Sequence, residues 1–238
     1  MSNNHFEFKQ FKVHQDGAAM KVGTDGVLLG AWAYLDGKEN HILDIGTGTG
    51  LLALMAAQRS PATRIDAVEI DQTAARQAME NAEASPWFER IRIHHMSIQD
   101  FVRQAPIRYD HIVSNPPFFV RSLKAPNPSR SAARHTDTLA FEDLISAANT
   151  LLAPEGRFSV IYPTEEAAVF EALASENGLY CNRRTKVKGT PESAFKRILM
   201  EFSHKVTTIR ENELIIELAR HRYSPEYIAL TRDFYLKF

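Results

Sequence analysis

From residue 41 onward the chain alternates short apolar runs with longer segments whose apolar residues recur every three or four positions. That alternation predicts a parallel sheet joined by crossover helices, because each parallel connection must carry the chain back across the sheet. Strands are expected at 41–45, 64–70, 91–95, 109–114 and 156–162, and helices at 51–59, 72–84 and 139–152. Ser60-Pro61 and Ser85-Pro86 punctuate two of the crossovers. Beyond a helix at 164–177, alternating runs at 179–188, 195–203 and 213–218 read as strands and 225–234 as a short helix. An antiparallel pair added at the sheet edge accounts for these strands. Upstream, Phe6 to Val13 reads as a short hairpin or strand, and Thr24 to Tyr34 as a helix capped by Thr24 or Asp25.

With 238 residues the chain suits one α/β domain with small additions. Its 44% hydrophobic and 24% charged residues argue against both disorder and a fibrous repeat. No apolar run is long enough to span a bilayer, and residues 1–7 lack a basic region followed by an apolar core, so a cytoplasmic protein with no membrane association is expected. Cys181 is the single cysteine, which excludes an internal disulfide and a multi-cysteine zinc site. His94, His95, His111 and His135 lack metal-ligand spacing, so they are expected to be structural or surface groups, and no metal is expected.

The net charge of −1 does not by itself suggest nucleic acid, but phosphate affinity follows local cation clusters more than the total. Two such clusters are present. One holds Arg121, Lys124, Arg130 and Arg134 with His135, the other Arg183, Arg184, Lys186 and Lys188. The first lies in an irregular loop, Pro116 to about Asp137, that follows a strand end, where open α/β sheets place their ligand crevice.

Between the first expected strand and helix stands Leu43-Asp44-Ile45-Gly46-Thr47-Gly48-Thr49-Gly50. Gly46, Gly48 and Gly50 allow the backbone to turn sharply and to approach a ligand closely. A dinucleotide fingerprint would need glycine at position 51, where this chain has Leu51, so a pyrophosphate ligand is disfavoured. An acid ahead of three alternate glycines suits a cationic ligand, with Asp44 meeting an ammonium group directly or through water. At the next strand end, Glu69 of Val68-Glu69-Ile70-Asp71 is placed to accept both hydroxyls of a ribose. One strand further, Asp100 is placed to accept from an adenine amino group, or it forms a helix capping box with Ser97.

The fourth strand ends in Asn115-Pro116-Pro117-Phe118. Two prolines cannot continue a central strand, and they stiffen the backbone that displays the neighbouring groups. An amide-type nitrogen is a poor nucleophile because its lone pair is delocalised. Two acceptors, the Asn115 side-chain oxygen and the Pro116 carbonyl, can hold both of its N–H bonds and draw it toward tetrahedral geometry. Phe118 can stack on a planar substrate, an interaction worth roughly 1–3 kcal/mol for a base.

With these motifs in order, the chain resembles the class I methyltransferases of the Asn-Pro-Pro-Phe/Tyr group. The resemblance implies S-adenosyl-L-methionine as cofactor and a Rossmann-like α/β fold. Its sheet would be mostly parallel and seven-stranded with an antiparallel edge strand, in a single domain over residues 1–238. Residues 1–37 would be a short N-terminal extension and 38–238 the catalytic core. Phe8-Lys9-Gln10-Phe11 and the run Met20 to Trp32 are similar to the bacterial valine-tRNA adenine-N6 methyltransferases, which modify the adenosine 3′ of the anticodon. That likeness implies a tRNA substrate and puts Lys21, Thr24 and Asp25 beside the cofactor's methionine end and the substrate entrance. The implied site is Asn115, Pro116 and Phe118 for catalysis. Lys21, Thr24, Asp44, Gly46, Gly48, Gly50, Glu69, Asp100 and Asn115 would hold the cofactor, and Phe118, Arg121, Lys124, Arg130 and Arg134 the RNA.

The tetrapeptide alone also admits an rRNA adenine N6, a guanine N2 or a protein glutamine amide as acceptor, and a non-catalytic RNA-binding module is the reading from another class. The absence of a long helical region ahead of the glycine loop speaks against the glutamine amide, and intact Asp44, Glu69 and Asn115 speak against the non-catalytic module.

Overall fold

A computed structural model describes residues 4–16, 21–105, 107–117 and 139–238. The chain starts with a hairpin, β1 (His5–Glu7) and β2 (Lys12–His14), followed by helix α1 (Thr24–Trp32). The alternating part begins with β3 (His41–Ile45), α2 (Leu51–Arg59), β4 (Arg64–Glu69), α3 (Gln72–Glu83), β5 (Ile91–His95), α4 (Ile98–Gln104) and β6 (Tyr109–Ser114). It goes on through α5 (Phe141–Leu151), β7 (Leu152–Pro163), α6 (Thr164–Glu176), β8 (Tyr180–Lys188), β9 (Phe195–Ser203) and β10 (Arg210–Ile215). The chain closes with a small ribbon, β11 (Glu217–Ala219) and β12 (Arg222–Tyr223), and helix α7 (Pro225–Thr231).

The main sheet runs in the order β10-β8-β9-β7-β6-β3-β4-β5. Its centre, β7-β6-β3-β4-β5, is parallel throughout. The α/β class and the mostly parallel sheet are as the sequence implies, with two differences. The sheet has eight strands rather than seven, and its antiparallel strand, β9, is interior rather than at the edge. Crossover helix α6 carries β8 two places from β7, and the return from β8 lays β9 into the gap, antiparallel to both neighbours. β10 then pairs parallel to β8 and forms the edge.

Apolar side chains fill both faces of the sheet. β3 is buried along nearly its whole length, as a central parallel strand must be. On one face Leu144, Leu151, Phe158, Phe170 and Phe202 pack together, and each large side chain fully removed from water contributes about 1.5–3 kcal/mol. On the other face α1 lies against α2. A Cβ at Gly26 would stand 2.9 Å from Leu51 Cδ2 and one at Gly30 2.5 Å from Met55 Sδ, so these glycines let the two helices approach. The cap of α1 differs from expectation: Gly23 occupies the cap position without a side-chain hydrogen bond, and Asp25 instead accepts from Arg197 Nε at 2.7 Å.

The hairpin is held by the C-terminal segment. Lys9 N–H donates to Phe234 O at 2.9 Å, its Nζ donates to the Arg232 and Phe238 carbonyls, and Phe8 stacks near Tyr235.

Candidate active site

Because β6, β3, β4 and β5 are adjacent and parallel, their carboxyl ends share one edge of the sheet. That edge holds Asp44 near the end of β3, Glu69 at the end of β4, Asp100 in the first turn of α4 and Asn115 just after β6. The structure therefore brings these four sequence-predicted residues onto one rim, the place where open α/β sheets bind ligands.

The turn between β3 and α2 uses its glycines in full. Gly46, Gly48 and Gly50 have φ of 71°, 57° and 84°, in the left-handed region that other residues avoid. A Cβ on Gly46 or Gly48 would meet nothing within 4 Å among the described residues, whereas one on Gly50 would approach Ala78 of α3 at 3.5 Å. Gly50 thus serves helix packing more than ligand approach. Gly46 and Thr47 N–H groups donate to Val68 O, and Gly48 N–H donates to Glu69 Oε2 at 2.8 Å. Glu69 Oε1 accepts from Asp71 N–H at 2.9 Å, so this carboxylate braces the turn while keeping lone pairs for hydroxyl donors.

Asp44 is fully buried. Its Oδ2 accepts from the Thr47 hydroxyl at 2.5 Å and from Ala53 N–H at 3.2 Å, whereas Oδ1 has no partner among the described residues. Burial pushes its carboxyl up to about 7, opposed by the hydrogen bonds from Thr47 and Ala53 and reinforced by the charge of Glu69. A buried acid with one oxygen unspent is disposed to take a cation. The Asn115 side-chain Oδ1 is likewise buried without a partner among the described residues. Ser114 anchors the strand end beneath it by donating to Ile45 O at 2.7 Å, and Pro116 is buried. A Cβ on Gly26 would stand 3.7 Å from Asn115 Nδ2, which brings the first turn of α1 close to Asn115. Lys21 and Thr24 are both exposed ahead of that point.

Asp100 is more committed than the other acids. It accepts from the Ser97 hydroxyl at 2.6 Å and from Arg103, while its N–H donates to Ser97 Oγ at 3.1 Å, so Ser97 caps α4 and Asp100 is tied to that cap. Hydrogen bonds from Ser97 and Arg103 hold its carboxyl below the usual range.

Three of the four cations of the second basic cluster are paired with acids from other elements. Arg183 pairs with Glu201, Arg184 with Glu171 and Glu211, and Lys186 with Glu211, while Lys188 donates to Pro191 O. Phe118, Arg121, Lys124, Arg130 and Arg134 lie outside the described residues. Among the described residues no group of three or more His, Cys, Asp or Glu side chains is arranged to hold a metal, and no helix is long and apolar enough to cross a membrane. Two residues of the site were not foreseen. Thr47 holds Asp44, and Asn81 of α3 holds the glycine turn through Thr49 O at 2.9 Å.

Residues 27–176 match the family model described as methyltransferase small domain. The chain is 51% identical to the tRNA1(Val) (adenine(37)-N6)-methyltransferase of Flavobacterium johnsoniae, over 98% of this chain and 99% of that protein. It is also 51% identical to the protein of that name from Trichodesmium erythraeum over the full length of both, and 52% identical to that of Pseudoalteromonas translucida over 98% of each. Among solved structures, a predicted O-methyltransferase of Agrobacterium tumefaciens shares the fold, with a TM-score of 0.69 at 20% identity over 88% of this chain and 96% of that one. A ribosomal protein L11 methylase of Lactobacillus delbrueckii subsp. bulgaricus superposes with a TM-score of 0.55 at 18% identity, over 82% and 84%. The chain belongs to the tRNA1(Val) (adenine(37)-N6)-methyltransferase family, within the methyltransferases of the small-domain type.

Proposed function

We propose that this protein transfers a methyl group from S-adenosyl-L-methionine to the N6 amine of an adenine in tRNA, at the adenosine 3′ of the anticodon in valine tRNA. The observation that carries the reading is the buried, unspent Asn115 Oδ1 on the same rim as the Asp44 turn. The full-length relatives named for this activity agree with it.

When bound, the cofactor supplies an electrophilic methyl group on a sulfonium. The protein's task is then alignment. Gly46 and Gly48 leave room for close approach, Asp44 Oδ1 takes the ammonium and Glu69 takes ribose hydroxyls. Asp100, placed for the adenine amino group, has to share its carboxylate with the cap of α4. Lys21 and Thr24 close the methionine end from the N-terminal extension, residues 1–37, which we read as part of a single domain with the core 38–238. At the acceptor, Asn115 Oδ1 and the Pro116 carbonyl accept the two amine N–H bonds and stabilise positive charge as it develops on nitrogen. No strong base is required, because the amine becomes acidic only after it has gained the methyl group, and it then gives its extra proton to solvent water. Phe118 stacks on the base, which must leave its own stack to arrive. Arg121, Lys124, Arg130 and Arg134 meet phosphates, a substrate that places the enzyme in the cytoplasm.

The test is incubation with labelled cofactor and tRNA from a strain lacking the gene, followed by nucleoside analysis. N6-methyladenosine at that position in valine tRNA is expected. Label on a guanine N2, or only in protein, would overturn the assignment.

A further inference from the structure

Among the described residues one buried polar group joins three parts of the chain and has no part in the methyl transfer outlined so far. Asn81 in α3 is 1% exposed. Its side-chain amide donates to His14 O and to Thr49 O, each at 2.9 Å, and its Oδ1 accepts from His14 N–H at 2.8 Å. Toward β2 the amide therefore behaves as a neighbouring strand would, satisfying the N–H and the C=O of one residue on an edge that β1 does not cover. Toward the glycine turn the same group fixes the carbonyl just before Gly50. The connection continues along the chain, because Gln15, next to His14, accepts from Val22 N–H through Oε1 at 2.9 Å. Val22 stands between Lys21 and the start of α1, which reaches Asn115 at Gly26.

We propose that Asn81 is a positioning residue for methyl transfer, binding the glycine turn and the N-terminal hairpin into one unit so that filling the turn also seats the segment carrying Lys21 and Thr24. This rests on the reading that the glycine turn holds the cofactor. The two segments are then thermodynamically linked. A ligand that orders the Thr49 carbonyl stiffens the amide bonded to it, and the same NH2 group holds the His14 carbonyl. No conservative replacement reproduces the arrangement. Aspartate can accept from His14 N–H but sets carboxylate oxygens against two carbonyls, and alanine leaves the half-buried N–H and C=O of His14 and the buried Thr49 carbonyl without this partner.

The experiment is amide hydrogen exchange on the full chain, with and without saturating S-adenosyl-L-methionine, alongside cofactor affinity by calorimetry and melting temperature without ligand. In the wild type the cofactor should slow exchange at residues 44–54 and also at residues 4–16. In Asn81→Ala, protection at 44–54 should persist at saturation while protection at 4–16 disappears, and the cofactor Kd should rise about tenfold, the equivalent of one buried hydrogen bond. A lower melting temperature with ligand-induced protection of 4–16 retained and a Kd within twofold of wild type would make Asn81 merely structural and overturn the proposal. Absence of protection at 44–54 in the wild type would instead remove the reading of the turn itself. Should Asn81→Ala fail to fold, Gln15→Met leaves Asn81 in place and cuts the next link. It should abolish cofactor-induced protection at 21–24 while sparing that at 44–54, and wild-type protection at both would count against the coupling.

Discussion

Replacing Asp44 with asparagine preserves the side chain's size and its acceptor for the Thr47 hydroxyl and Ala53 N–H, but removes the charge and sets an amide where the unspent Oδ1 stood. If that oxygen takes the cofactor's ammonium group, a charge-assisted bond of about 1.5–3 kcal/mol disappears, roughly a ten- to hundredfold rise in Kd at pH 7.5. Wild-type affinity must also depend on pH. Burial raises the folded carboxyl to about 7, so the proton has to leave before the pair can form. About a tenth of the protein is ionised at pH 6.0 and three quarters at pH 7.5, and an α-amine of pKa near 8 stays largely protonated, so affinity should increase roughly sixfold over that interval. The same shift acts on folding with the opposite consequence. A raised acid stabilises the protein fully below the unfolded value of 3.8, and that contribution is lost as pH rises through 7. Asp44→Asn should therefore gain stability relative to wild type between pH 4 and 8, by on the order of 4 kcal/mol. Calorimetric titration with S-adenosyl-L-methionine at pH 6.0, 6.75 and 7.5, with thermal melts at the same pH values, tests both limbs. Equal wild-type affinity at all three pH values, or an asparagine variant that keeps wild-type affinity at pH 7.5, would refute the pairing.

Gly48→Val should abolish cofactor binding in a folded protein, because its side chain would project into the open space beside the turn from a backbone at φ 57°; wild-type calorimetric affinity in a folded variant would reduce the loop to a turn. Asn115→Ala should leave cofactor Kd nearly unchanged while single-turnover methyl transfer to tRNA falls on the order of a hundred- to a thousandfold, as for loss of one preorganised transition-state hydrogen bond. Retention of more than about a third of the wild-type rate would show that Asn115 does not activate the amine. Changing both Arg130 and Arg134 to alanine should weaken tRNA binding and reduce its salt slope by about one unit for each phosphate left without its cation, with base preference intact; unchanged affinity and salt dependence would mark that loop as merely solvated.

The placement of the candidate residues on one rim was legible in the sequence where they stand at a strand end. Asp44, Glu69 and Asn115 each stand within two residues of the end of a strand that periodicity locates, and parallel strands send all their ends to one rim. What sequence reading missed is long-range. Asp25 looks like a helix cap because capping is decided within four residues, yet it pairs with Arg197, 172 positions away. Arg183, Arg184 and Lys186 read as a phosphate-binding run because the acids that consume their charge belong to α6, β9 and β10. The interior place of β9 likewise depends on which edge the β8–β9 return occupies, and alternation of apolar residues is the same in either place.

Asn81 is the sharpest case, since a lone asparagine in an amphipathic helix carries no signal, and its partners lie 67 and 32 residues earlier. Its burial nevertheless has a consequence for the catalytic rim. Among the described residues Asp44 and Asn115 each have a buried oxygen without a partner, an arrangement that costs free energy. Such groups stay aimed only if the backbone around them cannot relax to satisfy them. Ser114 on Ile45 O, Thr47 on Asp44, Glu69 on Gly48 N–H and Asn81 on Thr49 O prevent that relaxation at four successive points around the rim. The unsatisfied acceptors and the satisfied clamps are thus two halves of one arrangement, in which the surrounding hydrogen bonds hold in place the two acceptors that we propose meet the cofactor's ammonium and the substrate's amine.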